Sequence, residues 1–330
     1  MKALYIMSDQ SFSLVYPPNI REAIEKLVEV QTVPLTPAML RQDYTVLQDI
    51  DIILSGWGGP RMDHELLQHA PHLKAVFYAA GSLKKIVTEA MWERKIVVTN
   101  AVTANAIPVM EFTLSQILFS LKNGWRFVRD IQQGNLYSRK PFDIAGAFGS
   151  TVGIISLSTV GRGVSQLLQS FDVNTIVYDP FVSEEQVKKL GAKRCQLEDI
   201  FQLSDVVSLH TPLLEETRGL IRGAHLQQLK QNASFINTAR GAIVREDEMI
   251  EVLRQRKDIT AILDVTEPEP PEPHSPLYEL PNVVLTPHLA GSQGQECARM
   301  GYYMLLELER YVNNQPLQWQ VSREELLRQA

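Results

Sequence analysis

Short, nearly unbroken apolar runs recur through the first hundred residues: A-L-Y-I-M, D-I-I-L-S, A-V-F-Y-A and I-V-V-T-N. Between them lie mixed stretches with helical spacing, such as Ile20, Ile24 and Leu27, then Val28. This alternation predicts a parallel sheet flanked by helices. From Asn105 the period lengthens, with Ile107, Met110, Leu114, Ile117, Leu118 and Leu121 at helical intervals. Pro108 falls in the first turn of that helix, where its missing N–H costs little. The helix suits a connector between two lobes.

A second series of strands begins at Thr151: V-G-I-I, T-I-V-Y, V-V-S-L, F-I-N, A-I-L-D and V-V-L-T. With helical segments between several of them, they fit a doubly wound nucleotide-binding domain. Residues 291–312 predict a further amphipathic helix, with Met304, Leu305, Leu308 and Val312 on its apolar stripe and Glu307 and Glu309 on the polar side. Its return to the first lobe makes that lobe discontinuous. The expected fold is α/β with two domains, 1–103 plus 288–330 and 104–287. The Pro-rich segment 267–276 directly follows a strand and reads as an ordered active-site loop rather than a linker.

Composition changes this picture little. The 330 residues are 45% apolar and 21% charged, ordinary for a globular protein with two cores. A net charge of −6 and the lack of a dense Lys/Arg run argue against a nucleic-acid partner. Cys195 and Cys297 lack metal-ligand spacing, so no metal site is expected, and they imply a reduced compartment. The N-terminal apolar run is too short for a signal peptide, and no stretch approaches the roughly 20 apolar residues that span a bilayer. A soluble cytoplasmic protein without a membrane partner is expected.

The candidate chemistry lies past the carboxyl ends of three predicted strands, where Arg240, Glu269 and His288 follow S-F-I-N-T-A, I-T-A-I-L-D-V and N-V-V-L-T-P. Ligands of open α/β sheets bind in the crevice outside strand carboxyl ends. A guanidinium, a carboxylate and an imidazole there suit a carboxylate-bearing substrate that must exchange a proton. Each residue also has a plainer reading. The imidazole after Thr-Pro can be a turn or cap, the arginine can pair with a structural acid, and Glu267 can face the site instead of Glu269.

A dinucleotide turn is expected in T-V-G-I-I-S-L-S-T-V-G-R-G-V. Its G-x-G-x-x-G fingerprint is reduced to Ser156, Ser158 and the last glycine, Gly161. A helix starting near Thr159 still offers free N–H groups to an anion. Asp179 closes the next strand, 23 residues after Ser156, where it can accept hydrogen bonds from a ribose and repel a 2′-phosphate. That favours NAD; the alternative is that Asp179 merely starts a turn with Pro180.

These residues resemble the D-isomer-specific 2-hydroxyacid dehydrogenase family. The likeness is densest in V-S-L-H-T-P-L-L-E-E-T-R-G-L-I, F-I-N-T-A-R-G-A-I-V, L-D-V-T-E-P-E-P and L-T-P-H-L-A-G-S, and T-A-N-A-I-P-V-M-E-F resembles the family's hinge segment. The resemblance implies a Rossmann NAD-binding domain, a flavodoxin-like discontinuous substrate domain and a homodimer. It implies that Arg240 binds the substrate carboxylate, that His288 is the acid/base and that Glu269 is its partner. Asp264 would help to hold the nicotinamide. Thr159, Val160, Thr238, Ala239 and Gly291 would line the dinucleotide, with His210 and Pro212 beside the adenosine. His210 can equally be a packing residue. The loop 79–82, including Ala80 and Gly81, would receive the substrate carboxylate on its backbone N–H groups; Trp57 can line the entrance or pack. Two departures are Ser156 and Ser158 for glycines, and Thr266 where the family usually has a bulky apolar residue. The implied activity is reversible hydride transfer between NAD and C2 of a small 2-hydroxy or 2-oxo acid. The alternatives are a dinucleotide-sensing regulator of the same fold and a sister branch acting on formate or phosphite.

Overall fold

The computed structural model describes residues 1–134 and 144–328. The chain divides into two units, Met1–Asn105 with Ser292–Ala330, and Ala106–Gly291. The crossings fall at 105/106 and 291/292 rather than at 103/104 and 287/288, which moves His288 into the second unit. The cause is local. His288 N–H donates to Asp264 O, and Leu289 and Ala290 N–H donate to the Asp264 carboxylate, so the turn is tied to the second unit's own sheet.

The first unit holds a parallel sheet of β1 (Lys2–Ile6), β2 (Glu29–Leu35), β3 (Ile52–Ser55), β4 (Ala75–Tyr78) and β5 (Val97–Asn100), in the order β2-β1-β3-β4-β5. That is the flavodoxin-type winding. Successive side chains point to opposite faces, so Leu4, Ile6, Ile53 and Val76 enter one core while Tyr5, Ile52, Leu54 and Phe77 enter the other. Both faces of β3 and β4 are covered, which explains their continuous apolar runs. The helix Pro18–Glu25 buries Ile20 and Ile24 and stops before Leu27 and Val28.

One expectation fails on the helix Cys297–Val312. Met304 and Leu308 are buried as foreseen, but Glu307 is not on a polar face: it is 0% exposed. Its Oε1 accepts from Gln318 N–H at 3.0 Å and Arg310 Nη1 at 2.7 Å, and its Oε2 from Trp319 N–H at 2.9 Å. The carboxylate thereby pins the following segment, whose Trp319 O accepts from Asn100 N–H and whose Val321 N–H donates to Val98 O on β5.

The second unit contains β6 (Thr151–Ile155), β7 (Asn174–Tyr178), β8 (Lys193–Arg194), β9 (Val206–Leu209), β10 (Ser234–Asn237), β11 (Thr260–Leu263) and β12 (Val283–Leu285). Their order is β12-β11-β10-β9-β6-β7-β8, and every described pairing is parallel. The winding reverses between β6 and β9, the position at which doubly wound sheets open a ligand crevice.

The helix Val102–Ser120 starts earlier than its apolar period suggested, because Asn100 Oδ1 accepts Val102 N–H at 3.3 Å. Pro108 consequently lies inside the helix and removes one rung of its ladder. Contrary to expectation, these 19 residues are long and apolar enough to cross a bilayer by length and composition. Their apolar side has protein to cover it: Ile117 joins a core with Val152, Ile154 and Val164, and Thr113 shares a 3.1 Å hydrogen bond with Thr238.

Candidate functional site

Parallel register aligns the carboxyl ends of three neighbouring strands, with Asn237 beside Leu263 and Leu263 beside Leu285. Arg240, Glu269 and His288 follow those ends by three, six and three residues. The turn after β10 is built by Asn237, whose Oδ1 accepts Ala239 N–H at 3.0 Å and whose Nδ2 donates to Arg240 O at 3.1 Å. Gly241 then passes against the next loop so closely that a Cβ would lie 2.0 Å from the Thr266 carbonyl carbon. Only glycine fits there, and the contact sets the Arg240 turn against the segment leading to Glu269.

Glu269 Oε1 lies 2.5 Å from His288 Nδ1. This distinguishes the two acids, since Glu267 instead pairs with Arg218 at 3.8 Å and gives its N–H to Glu246 Oε2. The Thr266 hydroxyl donates to Pro268 O at 2.8 Å, so the residue replacing a bulky apolar one is a tether within the loop. Nε2 of His288 has no protein partner among the described residues, and the side chain is 47% exposed. His288 has φ +51°, a left-handed conformation that histidine adopts more readily than most residues.

Asp264 holds that conformation. It is 2% exposed, and its carboxylate accepts the Thr286 hydroxyl together with Leu289 and Ala290 N–H. Both oxygens of Asp264 thus brace the turn that carries His288. Arg240 donates Nη1 to Ala239 O at 2.6 Å, which leaves most of its fork uncommitted. Burial pulls its pKa below the ordinary value while Glu269 opposes that, placing the two groups within electrostatic reach. The guanidinium stays charged.

At the reversal of strand order, Gly161 is cradled as expected: a Cβ would sit 2.1 Å from Ser156 O. Ser156 itself adopts φ +75°, the glycine-type conformation of the fingerprint's first position. Ser158 caps the helix Thr159–Leu168, its hydroxyl accepting Gly161 N–H at 3.4 Å. Thr159 is exposed, Val160 half-buried, and their N–H groups have no protein acceptor among the described residues. Asp179, at the end of β7, is 6% exposed and accepts from Leu157 N–H, Ser156 Oγ and Phe181 N–H. The glycine cradle, the open helix N-terminus and the acid fit a dinucleotide.

Thr238 is buried against Thr113, with Ala239 half-buried after it. Pro212 O accepts the Thr217 hydroxyl, and Gly291 closes the unit. His210 is 4% exposed, its Nε2 2.9 Å from Ser208 Oγ, and Thr211 beside it keeps a buried hydroxyl with no partner among the described residues. The packing reading of His210 is the one that its burial supports. Thr211 is the polar group that sequence reasoning passed over; nothing but its place between His210 and Pro212 signals it.

Burial pushes the His210 imidazole down to about 3. As pH falls below the unfolded value of about 6.5, the unfolded chain takes up a proton that the folded state refuses, so stability is lost with acid. Between pH 7.5 and 5 this amounts to about 2 kcal/mol. Urea titrations should show that much less acid sensitivity in His210→Gln; parallel pH dependences in the two proteins would refute it.

In the first unit the loop after β4 departs from expectation at Ala80. Ala80 N–H donates to Tyr78 O, whereas Gly81 and Ser82 N–H have no acceptor among the described residues. Trp57 packs against both cores of this unit.

A parallel sheet wound in this order, with its glycine-cradled turn at the reversal, is a Rossmann dinucleotide-binding unit. Residues 114–290 match the family model described as "D-isomer specific 2-hydroxyacid dehydrogenase, NAD binding domain", and the chain belongs to that family. It is 33% identical over 257 residues to a D-3-phosphoglycerate dehydrogenase of Archaeoglobus fulgidus, covering 78% of this chain and 49% of that one. A protein of the same name from Methanocaldococcus jannaschii is 31% identical over 281 residues, covering 84% and 53%. The chain thus spans about half the length of these curated relatives. Its fold matches that of an NAD-complexed D-isomer specific 2-hydroxyacid dehydrogenase from Lactobacillus delbrueckii ssp. bulgaricus, with TM-score 0.81, 21% identity and coverage of 98% and 100%. It also matches the TT0316 protein of Thermus thermophilus, with TM-score 0.73, 26% identity and coverage of 98% and 100%.

Proposed function

We propose that this chain is an NAD-dependent dehydrogenase acting on C2 of a small 2-hydroxy or 2-oxo acid. The observation that carries the proposal is the Glu269–His288 pair, closed at Nδ1 and open at Nε2, on the strand edge that also delivers Arg240. NAD, when bound, supplies the hydride acceptor or donor. His288 takes the hydroxyl proton at Nε2 during oxidation and returns it during reduction. Glu269 holds the Nδ1–H and with it the ring's orientation. Arg240 offers a fixed fork of donors to a planar carboxylate.

The test is absorbance of NADH against glyoxylate, hydroxypyruvate, pyruvate and phenylpyruvate, with NAD and 3-phosphoglycerate in the oxidative direction. The names of the curated relatives make the last acid the first to try. Tight NADH binding without turnover on any of them would instead support a dinucleotide-sensing regulator. That reading has one observation in its favour, the Gly161 N–H already taken by Ser158. We extend the proposal to a homodimer through the second unit, for which exposed Phe119, Val128 and Ile131 provide apolar surface. Light scattering that returns the mass of one chain would remove that extension.

A further inference from the structure

Serine at 156 occupies a backbone conformation, φ +75°, that strains most residues other than glycine. Its N–H donates to Tyr178 O, which fixes the turn against the end of β7. The hydroxyl then reaches Asp179 Oδ2 at 3.3 Å, on the oxygen that also accepts Leu157 N–H at 2.7 Å. The other oxygen accepts Phe181 N–H at 2.9 Å. Three donors from two strand ends therefore hold one nearly buried carboxylate.

We propose that Ser156 is a positioning residue that locks Asp179 and thereby sharpens the choice of NAD over a 2′-phosphorylated dinucleotide. The inference rests on the NAD-dependent reading above and deepens it. Rejection of a second phosphate requires the repelling charge to stay where it is. A carboxylate free to rotate relieves the repulsion by swinging away, whereas one clamped by a side-chain hydroxyl and two backbone N–H groups does not. The apparent defect in the glycine fingerprint becomes a specificity device, and the backbone strain is the cost of placing a hydroxyl at that point of the turn.

Glycine substitution separates this role from a merely tolerated serine, because Ser156→Gly removes the strain and the hydroxyl together. NADH and NADPH are titrated into the full chain by calorimetry, for wild type, Ser156→Gly and Ser156→Ala. The expected result is that both variants narrow the NADH:NADPH affinity ratio by about three- to tenfold, the size of one hydrogen bond, although Ser156→Gly is at least as heat-stable as wild type. If Ser156→Gly tightens both dinucleotides and leaves their ratio unchanged, the positioning role is overturned and NAD dependence stands. If the wild-type chain binds neither dinucleotide, both fall together.

Discussion

Replacing His288 by alanine is expected to lower the turnover of 2-oxo acid reduction by roughly 10²- to 10⁴-fold, the usual contribution of a positioned acid/base. NADH affinity should stay within about twofold of wild type, because the ring is half exposed and its one polar contact among the described residues is with Glu269. The backbone complicates the experiment, since alanine is strained at φ +51°. His288→Asn avoids this, asparagine being at ease in that conformation. Both variants should be equally inactive if the lost group is the imidazole. Activity restored by asparagine would mean that the turn, held by Asp264, is what matters. Glu269→Gln keeps an oxygen for Nδ1–H but not the charge, so its loss should be smaller, on the order of tenfold.

The largest loss of stability is expected from Glu307→Ala. One carboxylate satisfies two backbone N–H groups and a guanidinium while wholly buried. Removing one side of such a pair costs about 3–5 kcal/mol, because the partners are left desolvated and unpaired. Arg310 moderates the penalty, since it is 27% exposed and stacks on Trp319, itself 4.2 Å from the Tyr303 ring. Urea unfolding followed by near-ultraviolet dichroism of Trp319 gives the measurement. A variant within about 1 kcal/mol of wild type would show that the tail is held by something else, and Arg310→Ala should cost less than Glu307→Ala.

Ten of the twelve described strands were legible as apolar runs, most of them because parallel strands covered on both faces need apolar side chains at nearly every position. The other two lack that cause. β2, with the sequence E-V-Q-T-V-P-L, lies at an edge and is mostly exposed, and β8 is two exposed basic residues. Glu307 was misplaced for the opposite reason. Helical period marks which positions face inward but is blind to a buried charge whose partners come from a tail eleven and twelve residues away.

The site was legible in its outline, since Arg240, Glu269 and His288 each follow a recognisable strand end. Its wiring was not. That Asp264 holds the His288 turn, that Glu267 goes to Arg218 and that Ala80 N–H is committed to Tyr78 all depend on where loops fold back. The serines at 156 and 158 read as damage from the motif alone. In the structure one is a helix cap and the other a bracket on Asp179.

The tail that Glu307 fastens has a wider consequence. A sheet's outermost strand presents bare peptide groups to any passing chain, a template for unwanted association. On one side of the five-stranded sheet that template is blunted by Pro34, which lacks an N–H, and by a slip in pairing between Leu4 and Ile6. On the other, residues 319–321 lie along β5, with Thr99 and Gln320 bridged in antiparallel fashion. A single interior acid thus fastens the short segment that covers this outer edge.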